Sequence, residues 1–403
     1  MLVEIHALQN FAPSNLNRDD TGSPKDCMFG DYRRARISSQ ALKRAVRLEF
    51  KTQGLLPLQQ TGARTRRIVG QIASVLAVDG RTLEEATAVV RTALGGMGLT
   101  VGPDGLTQYL LFAGQREINA ITEVCTQRWD ALVSAAAEVA GSDAPVASAD
   151  TTTPARSRST ARAAKKDAKD VVPKAISDEL RRALDGGRAA DIALFGRMLA
   201  DMPEKNIDAA CQMAHAISTN RVSIEFDYFT AVDDLNPREE TGAGMIGTVE
   251  FNSACFYRYA NVDLDVLTEN LQGDAELARA SLEAFLRAFI SAVPSGKQNS
   301  MAAQNPPSFV FTVARERGLW SLTNAFLQPV RPDDRRDLAQ ASINRLDTYW
   351  GQLAAMYGER GILGKWCVAL DGDGLGVLAE ARQPDVEHLV EVTIGSTRTL
   401  ASE

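Results

Sequence analysis

Long apolar runs are missing from this 403-residue chain. None approaches the roughly 20 residues that a membrane span needs, so no membrane anchor is expected. The start, MLVEIHALQNF, carries Glu4 early and has no basic stretch ahead of an apolar one. It reads as a first strand and not as a secretory leader, which makes a cytoplasmic location the expectation. Cysteine is scarce and scattered. Cys27, Cys125, Cys211, Cys255 and Cys367 form no CxxC pair, which argues against a zinc site or a disulfide framework and for reduced, buried thiols. The three histidines, His6, His215 and His388, are equally isolated. His215 falls in MAHAIST, within a helix expected through Ala209 to Ile217, where a packing role outweighs catalysis. There is no HExxH; GERGILGKW (358–366) lacks both the glycine spacing and the Ser/Thr of a Walker loop, and DGDGLGV around Gly372 misses the third glycine of a dinucleotide fingerprint. No metal, cofactor or catalytic constellation is expected from these absences.

What is present is positive charge in one place. The chain is acidic overall, with a net charge of -7 and a pI near 5.3, and 45% of its residues are hydrophobic, as in ordinary globular proteins. Against that sign, LNRDDTGSPKDCMFGDYRRARISSQALKRAVR (16–47) gathers Arg33, Arg34, Arg36, Lys43, Arg44 and Arg47, with Lys51 close behind. This reads as a basic loop leading into a capped helix and points to a polyanion. Ser38 or Ser39 stands where an N-cap belongs, followed by Gln40, and Leu42, Ala45 and Val46 form an apolar stripe at helical spacing. Lys43, Arg47 and Lys51 recur every fourth residue and share one side. The unpaired N–H groups of the first turn and the positive end of the dipole favour an anion in front of Ser38, with Arg18 and Lys25 upstream to flank it.

The length suggests two domains or one with large insertions. The opening strand, Leu2 to Leu8, alternates with period two. A helical region follows from about residue 61, with Ile68, Ile72, Val75 and Leu76 in one segment and Leu83, Ala86, Val89 and Val90 in the next. From 141 to 173 the composition turns to Ala, Ser, Thr, Lys, Arg and Asp without an aromatic residue, the signature of a mobile polar insertion for which a solvated linker is the favoured reading. Residues 221–259 read as a hairpin around a Gly-rich stretch, with Tyr228, Phe229, Val232, Met245 and Ile246 near its tip. Large apolar side chains at an exposed tip suggest a contact surface. A helix near 275–292, a strand SFVFTVA and helices near 339–357 complete an α+β pattern of ferredoxin or RRM type. The paired carboxylates Asp19-Asp20 and Asp233-Asp234, with Asp26 and Asp31, could in principle hold a divalent ion and cut RNA, but no His or Lys partner stands close and no ligand spacing is typical.

Taken together, LNRDD…KD..FG..RRARISSQALKRA, DIALFGRM, AHAIST, FTAVDD, GT.EF.S..FYRYANV and GKQ…A..NP resemble the CasC family, the repeated backbone subunit of the type I-E CRISPR complex Cascade. The motifs span nearly the whole chain in order. The resemblance implies an RRM-like (ferredoxin-like) palm (1–60, 191–220, 249–403), a helical fingers insertion (61–190) and a β-hairpin thumb (221–248). It implies several copies stacked along the CRISPR RNA, without catalysis of their own, leaving guide segments free to pair with target DNA. Other Cascade subunits and a recruited helicase-nuclease would be further partners. Carried onto this chain, the RNA contacts are Arg18, Lys25, Ser38, Gln40, Lys43, Arg44, Arg47 and Lys297, with Met198 wedging against a base. Tyr228, Phe229, Thr230, Val232 and Ile246 would be the base-displacing thumb. The chain departs from the family at Tyr228, where Trp is familiar, and in the 141–173 insertion. A metal-dependent ribonuclease on a similar fold is the alternative.

Overall fold

The computed structural model describes residues 1–78, 80–142, 168–186, 188–231, 245–372 and 374–397. Two compact units divide the chain: Met1–Leu55, Cys211–Asp265 and Arg279–Glu403 form one, Leu56–Ala210 and Val266–Ala278 the other. The helical unit therefore runs from residue 56 to 210, wider than the 61–190 read from the sequence, and takes 191–210 from the expected palm. No helix among the described residues is long and apolar enough to cross a membrane.

Nine strands build the sheet of the first unit, counted among the described residues: β1 (Leu2–Ser14), β2 (Asp26–Phe29), β3 (Tyr32–Ile37), β4 (Cys211–Met213), β5 (Ala216–Ser218), β6 (Glu225–Ala231), β7 (Met245–Asp263), β8 (Phe309–Arg315) and β9 (Ile362–Ala369). Their order is β9, β8, β1, β7, β5, β3, β2, with β4 and β6 also paired to β7. Every strand pairing in it is antiparallel. Four helices matter here: α1 (Ser39–Thr52), α2 (Ala275–Ser291), α3 (Leu338–Tyr357) and α4 (Val386–Ser396). Helix α3 buries Ile343, Leu346 and Trp350 against Tyr257, Phe309 and Phe311 on one face of the sheet. On the other, the Thr312 and Thr393 hydroxyls meet at 2.7 Å under α4, and the Arg258 side chain reaches Phe289 of α2.

Cover on both faces explains why β1 extends to 13 residues and why its alternation misleads. The polar members of the alternating pattern do not face water. Glu4 is buried in an ion pair with Arg315, and its carboxylate also accepts from the Tyr259 hydroxyl at 3.0 Å and the Trp320 N–H at 2.6 Å. The Tyr257 hydroxyl accepts from Leu322 N and shares a hydrogen bond with His6 Nδ1, each at 2.8 Å. Burial, with a smaller contribution from Arg315, pushes the His6 imidazole down to about 3, so it is neutral.

The helix expected through 209–217 is not formed; that stretch makes β4 and β5 instead. Ala214 N donates to Tyr259 O at 2.9 Å and Thr219 N to Cys255 O at 2.7 Å, so pairing with β7 overrides local propensity.

The second unit is helical around a two-stranded ribbon, Gly62–Thr65 with Leu111–Gly114. Thr82 caps Leu83–Met97 by accepting from Glu85 N at 3.2 Å, and Gly98 ends that helix at φ 114°, a left-handed conformation that glycine adopts without a Cβ penalty. Ile68, Ile72, Leu76, Ala86, Val89 and Val90 are buried in its core as the periodicity predicts, whereas Val75 and Leu83 are exposed.

Candidate nucleic-acid interface

Helix α1 begins at Ser39, which makes Ser38 the cap. Ser38 Oγ accepts from Ala41 N at 3.3 Å, and the Ser38 N–H donates to Asn17 Oδ1 at 2.8 Å. Asn17 O in turn accepts from Lys25 N at 2.8 Å, and Lys25 O from Arg36 N at 2.9 Å. One asparagine thus ties the Arg18 and Lys25 loop to the front of the helix. Asp19 shapes the loop itself: a single carboxylate oxygen accepts from Thr21 N, Thr21 Oγ1 and Ser23 N, at 2.9, 2.8 and 2.9 Å. These bonds hold its carboxyl below the usual range, that from the Thr21 side chain most of all.

A second loop closes on the first. A Cβ on Gly296 would lie 2.4 Å from Leu16 O and 2.7 Å from Asn15 O, so only glycine permits this approach, and it sets Lys297 beside the Arg18 loop. Lys297 itself is left-handed, at φ 52°. The result is a cleft of about 780 Å³ lined by Arg18, Arg44, Leu48 and Gly296, with Asp19, Asp20 and Glu49 also on its wall. Gln40 is exposed in the first turn and Arg44 on the cleft side, while Lys43 and Arg47 are half-buried and do not line it. Lys43 approaches Cys211, whose thiol burial pushes up to about 12 against the lysine's opposing charge. Of the expected RNA contacts, Arg18 and Arg44 line this cleft, Lys25 and Ser38 are tied through their backbones to Asn17, and Lys297 follows Gly296.

The RRAR stretch is not the exposed loop that its charge suggested; it is β3. Gly30 and Asp31, both at positive φ, make the two-residue turn joining it to β2. Arg34 is fully buried. Its guanidinium donates to Ser218 O at 2.9 Å, Thr219 O at 2.8 Å, Phe326 O at 2.6 Å and Leu327 O at 3.2 Å. Arg33 pairs with Asp26 at 3.1 Å, and Arg36 donates to His215 Nδ1 at 3.0 Å. Partial burial, then Arg36 and Lys25, lower the His215 pKa and keep its ring the neutral acceptor. His215 is an exposed arginine partner, then, and not a helix-packing residue.

The β6–β7 hairpin pairs Glu225 with Phe251 through Ala231 with Met245. Register sorts the thumb residues onto two faces, because residues directly opposite share a face and neighbours alternate. Tyr228, Thr230 and Ile246 fall together with Phe226; Phe229 falls on the other face, opposite Gly247. A Cβ on Gly247 would lie 2.4 Å from the Phe229 ring, so the ring lies over the glycine. Phe226, Tyr228 and Ile246 are 66%, 64% and 61% exposed. Val232 lies outside the described residues, as do Asp233 and Asp234.

Met198 belongs to the helical unit. It is 82% exposed between two buried neighbours, Arg197 and Leu199. Arg197 Nη1 donates to both carboxylate oxygens of buried Glu117, at 2.8 and 2.9 Å, and Glu117 also accepts from Gly186 N at 2.6 Å and Gly114 N at 2.7 Å. Met198 is thereby held outward by a fixed backbone. This presentation suits a wedge.

A family model described as CT1975-like protein matches residues 3–392. The chain belongs to the CT1975-like family. Two solved structures are similar to it throughout. One, titled "CRISPR RNA-guided surveillance complex, pre-nicking", is 31% identical, covers 98% of this chain and 100% of its own, and superposes with a TM-score of 0.80. The other, "CRISPR RNA-guided surveillance complex", is 27% identical over 98% and 100%, with a TM-score of 0.70. Among curated proteins none matches.

Sequence reasoning about this CT1975-like chain missed Asn17, Gly296 and Phe226. Gly296 carried a signal in the GKQ motif, and Phe226 in its place two residues before Tyr228. Asn17 stood in the LNRDD motif, but its role, a hydrogen bond 21 residues along the chain, left no trace in spacing.

Proposed function

We propose that this protein is the RNA-binding backbone subunit of a type I-E Cascade complex, several copies of which stack along a CRISPR RNA and present its spacer for pairing with target DNA. The observation that carries the reading is full-length similarity, at 31% identity, to a chain from a CRISPR RNA-guided surveillance complex. The site agrees with it: a capped helix N-terminus with cations nearby suits a phosphate backbone independent of sequence. The strand order β8, β1, β7, β5 fits the four-stranded core of an RRM-like palm. Each copy needs few cations, since it grips only a short stretch of backbone, and surplus acid elsewhere limits adventitious binding. Other Cascade subunits would cap the head-to-tail stack, and a helicase-nuclease would act on the assembly.

We assign the subunit no cleavage chemistry. Two of the carboxylates that a ribonuclease would recruit are committed elsewhere, Asp19 to its turn and Asp26 to Arg33. Co-expression with a CRISPR array and the remaining subunits, followed by extraction of bound RNA, tests the reading. A repeat-spacer RNA of uniform length is expected. Heterogeneous RNA, or RNA cut in magnesium by a protein that Asp26→Asn and Asp31→Asn inactivate, would refute it.

A further inference from the structure

A second cleft opens at the far end of β3 from α1. Tyr32, the first residue of that strand, lines it with Arg221, Pro329, Arg331, Pro332 and Leu338 around a volume of about 260 Å³. Five steps of about 3.3 Å separate Tyr32 from Ile37, so the cleft stands about 17 Å along the strand from the phosphate cradle. Backbone bonds fix its walls: Val222 N donates to Arg33 O at 3.0 Å, and Val330 N to Thr219 O at 2.9 Å. Buried Arg34 holds the two wall segments together through the Ser218, Thr219, Phe326 and Leu327 carbonyls. Its cation sits 6.0 Å from the Tyr32 ring centroid, and its Nε–H is buried without a partner. Arg221 and Arg331 are exposed, and neither makes an ion pair among the described residues. Of the carboxylates nearby in sequence, Asp333 is engaged by Arg336 at 2.8 Å and Asp337 caps α3, while Asp334 is exposed.

An aromatic ring flanked by two uncommitted guanidinium groups is the chemistry of a single-strand platform, a base on the ring and phosphates on the cations. An acidic peptide would use the arginines and leave the ring without a role. We propose that this cleft holds a nucleotide of a single strand distinct from the one on α1, stacked on Tyr32 and charge-paired with Arg221 and Arg331.

The test uses the full-length protein carrying Arg18→Ala and Arg44→Ala to weaken the first site, with short fluorescein-labelled oligothymidylate and oligouridylate as probes. Binding should persist in that background; preference for one probe then tells whether the strand is DNA or RNA. Adding Arg221→Ala and Arg331→Ala should lower affinity by about tenfold or more at low salt. Tyr32→Ala should cost about 5- to 150-fold, with Tyr32→Phe close to the parent, since stacking needs the ring and not the hydroxyl. An iodouracil probe should cross-link to Tyr32. Binding unchanged by the Arg221 and Arg331 substitutions would overturn the proposal, as would its absence in the parent background. Displacement of the probe by oligoglutamate at equal charge would reassign the cleft to an acidic protein.

Discussion

Replacing Arg18 and Arg44 by alanine together asks whether the cradle in front of α1 grips RNA. Both side chains are exposed, both line the 780 Å³ cleft, and neither makes an ion pair among the described residues. Such surface substitutions cost about 0.5 kcal/mol or less, so the free protein should keep its melting temperature. If each arginine neutralises one phosphate, the slope of log affinity against log salt should fall by about 0.7 per contact, or about 1.4 in all. Between 50 and 200 mM salt, a fourfold change, wild type should then lose about sevenfold more affinity than the variant. Filter binding of a single-stranded RNA across that range reads the difference directly. The companion pair Lys43→Ala and Arg47→Ala should also flatten the slope, but with some loss of stability, because their half-buried stems cover apolar surface. An unchanged slope in the well-folded Arg18 and Arg44 variant would remove the cradle from the RNA site.

Three further outcomes are expected. Tyr228→Ala with Ile246→Ala empties one face of the thumb and should shorten RNA-bound assemblies seen by electron microscopy, at about 1–3 kcal/mol per lost base contact, without changing the free protein's melting temperature; a marked drop in that temperature would make these side chains ordinary core. Glu117→Gln strands the buried Arg197 cation and should destabilise the helical unit by about 3–5 kcal/mol in urea unfolding, and a loss under about 1 kcal/mol would show that the pair is dispensable. His6 sets an acid limit. Its folded pKa of about 3 lies below its unfolded value, so its contribution to stability is complete above the unfolded pKa of 6.5 and is lost as pH falls toward 3. At pH 5 the loss should reach about 2 kcal/mol, with the raised pKa of buried Glu4 working in the opposite direction. His6→Gln should therefore flatten the profile between pH 7 and 5, and an unaltered profile would contradict the burial argument.

Local signals were legible where local chemistry decides. Ser38 and the Leu42, Ala45 and Val46 stripe located α1, and alternation about a Gly-rich stretch located the hairpin. Signals failed where distant chain decides. Nothing in RRARIS tells that Arg34 is swallowed by four carbonyls from 218–219 and 326–327 while Arg33 beside it is exposed. MAHAIST has helical spacing, yet its backbone groups find better partners on β7. Charge counting treated the whole basic stretch as ligand-facing, whereas part of that charge holds the fold together. The Glu117 and Arg197 pair, 80 residues apart in sequence, left no trace in spacing.

Strand β7 belongs to two worlds along its 19 residues, about 60 Å if fully extended. From Ala254 to Val262 it is buried at the centre of the sheet, while from Met245 to Phe251 it forms the partly exposed arm of the thumb. The strand runs on without a turn, while its pairing passes from β6 to β1 at Phe251 and Asn252, beside a register shift between Phe11 and Ser14, so the thumb is rooted in the core through this one strand. A force applied at its tip would travel along one unbroken strand to the β1 pairing. Hydrogen exchange should grade smoothly along this single strand, fast near Met245 and slowest near Ala260, and ligand at the tip should slow the amides at its root.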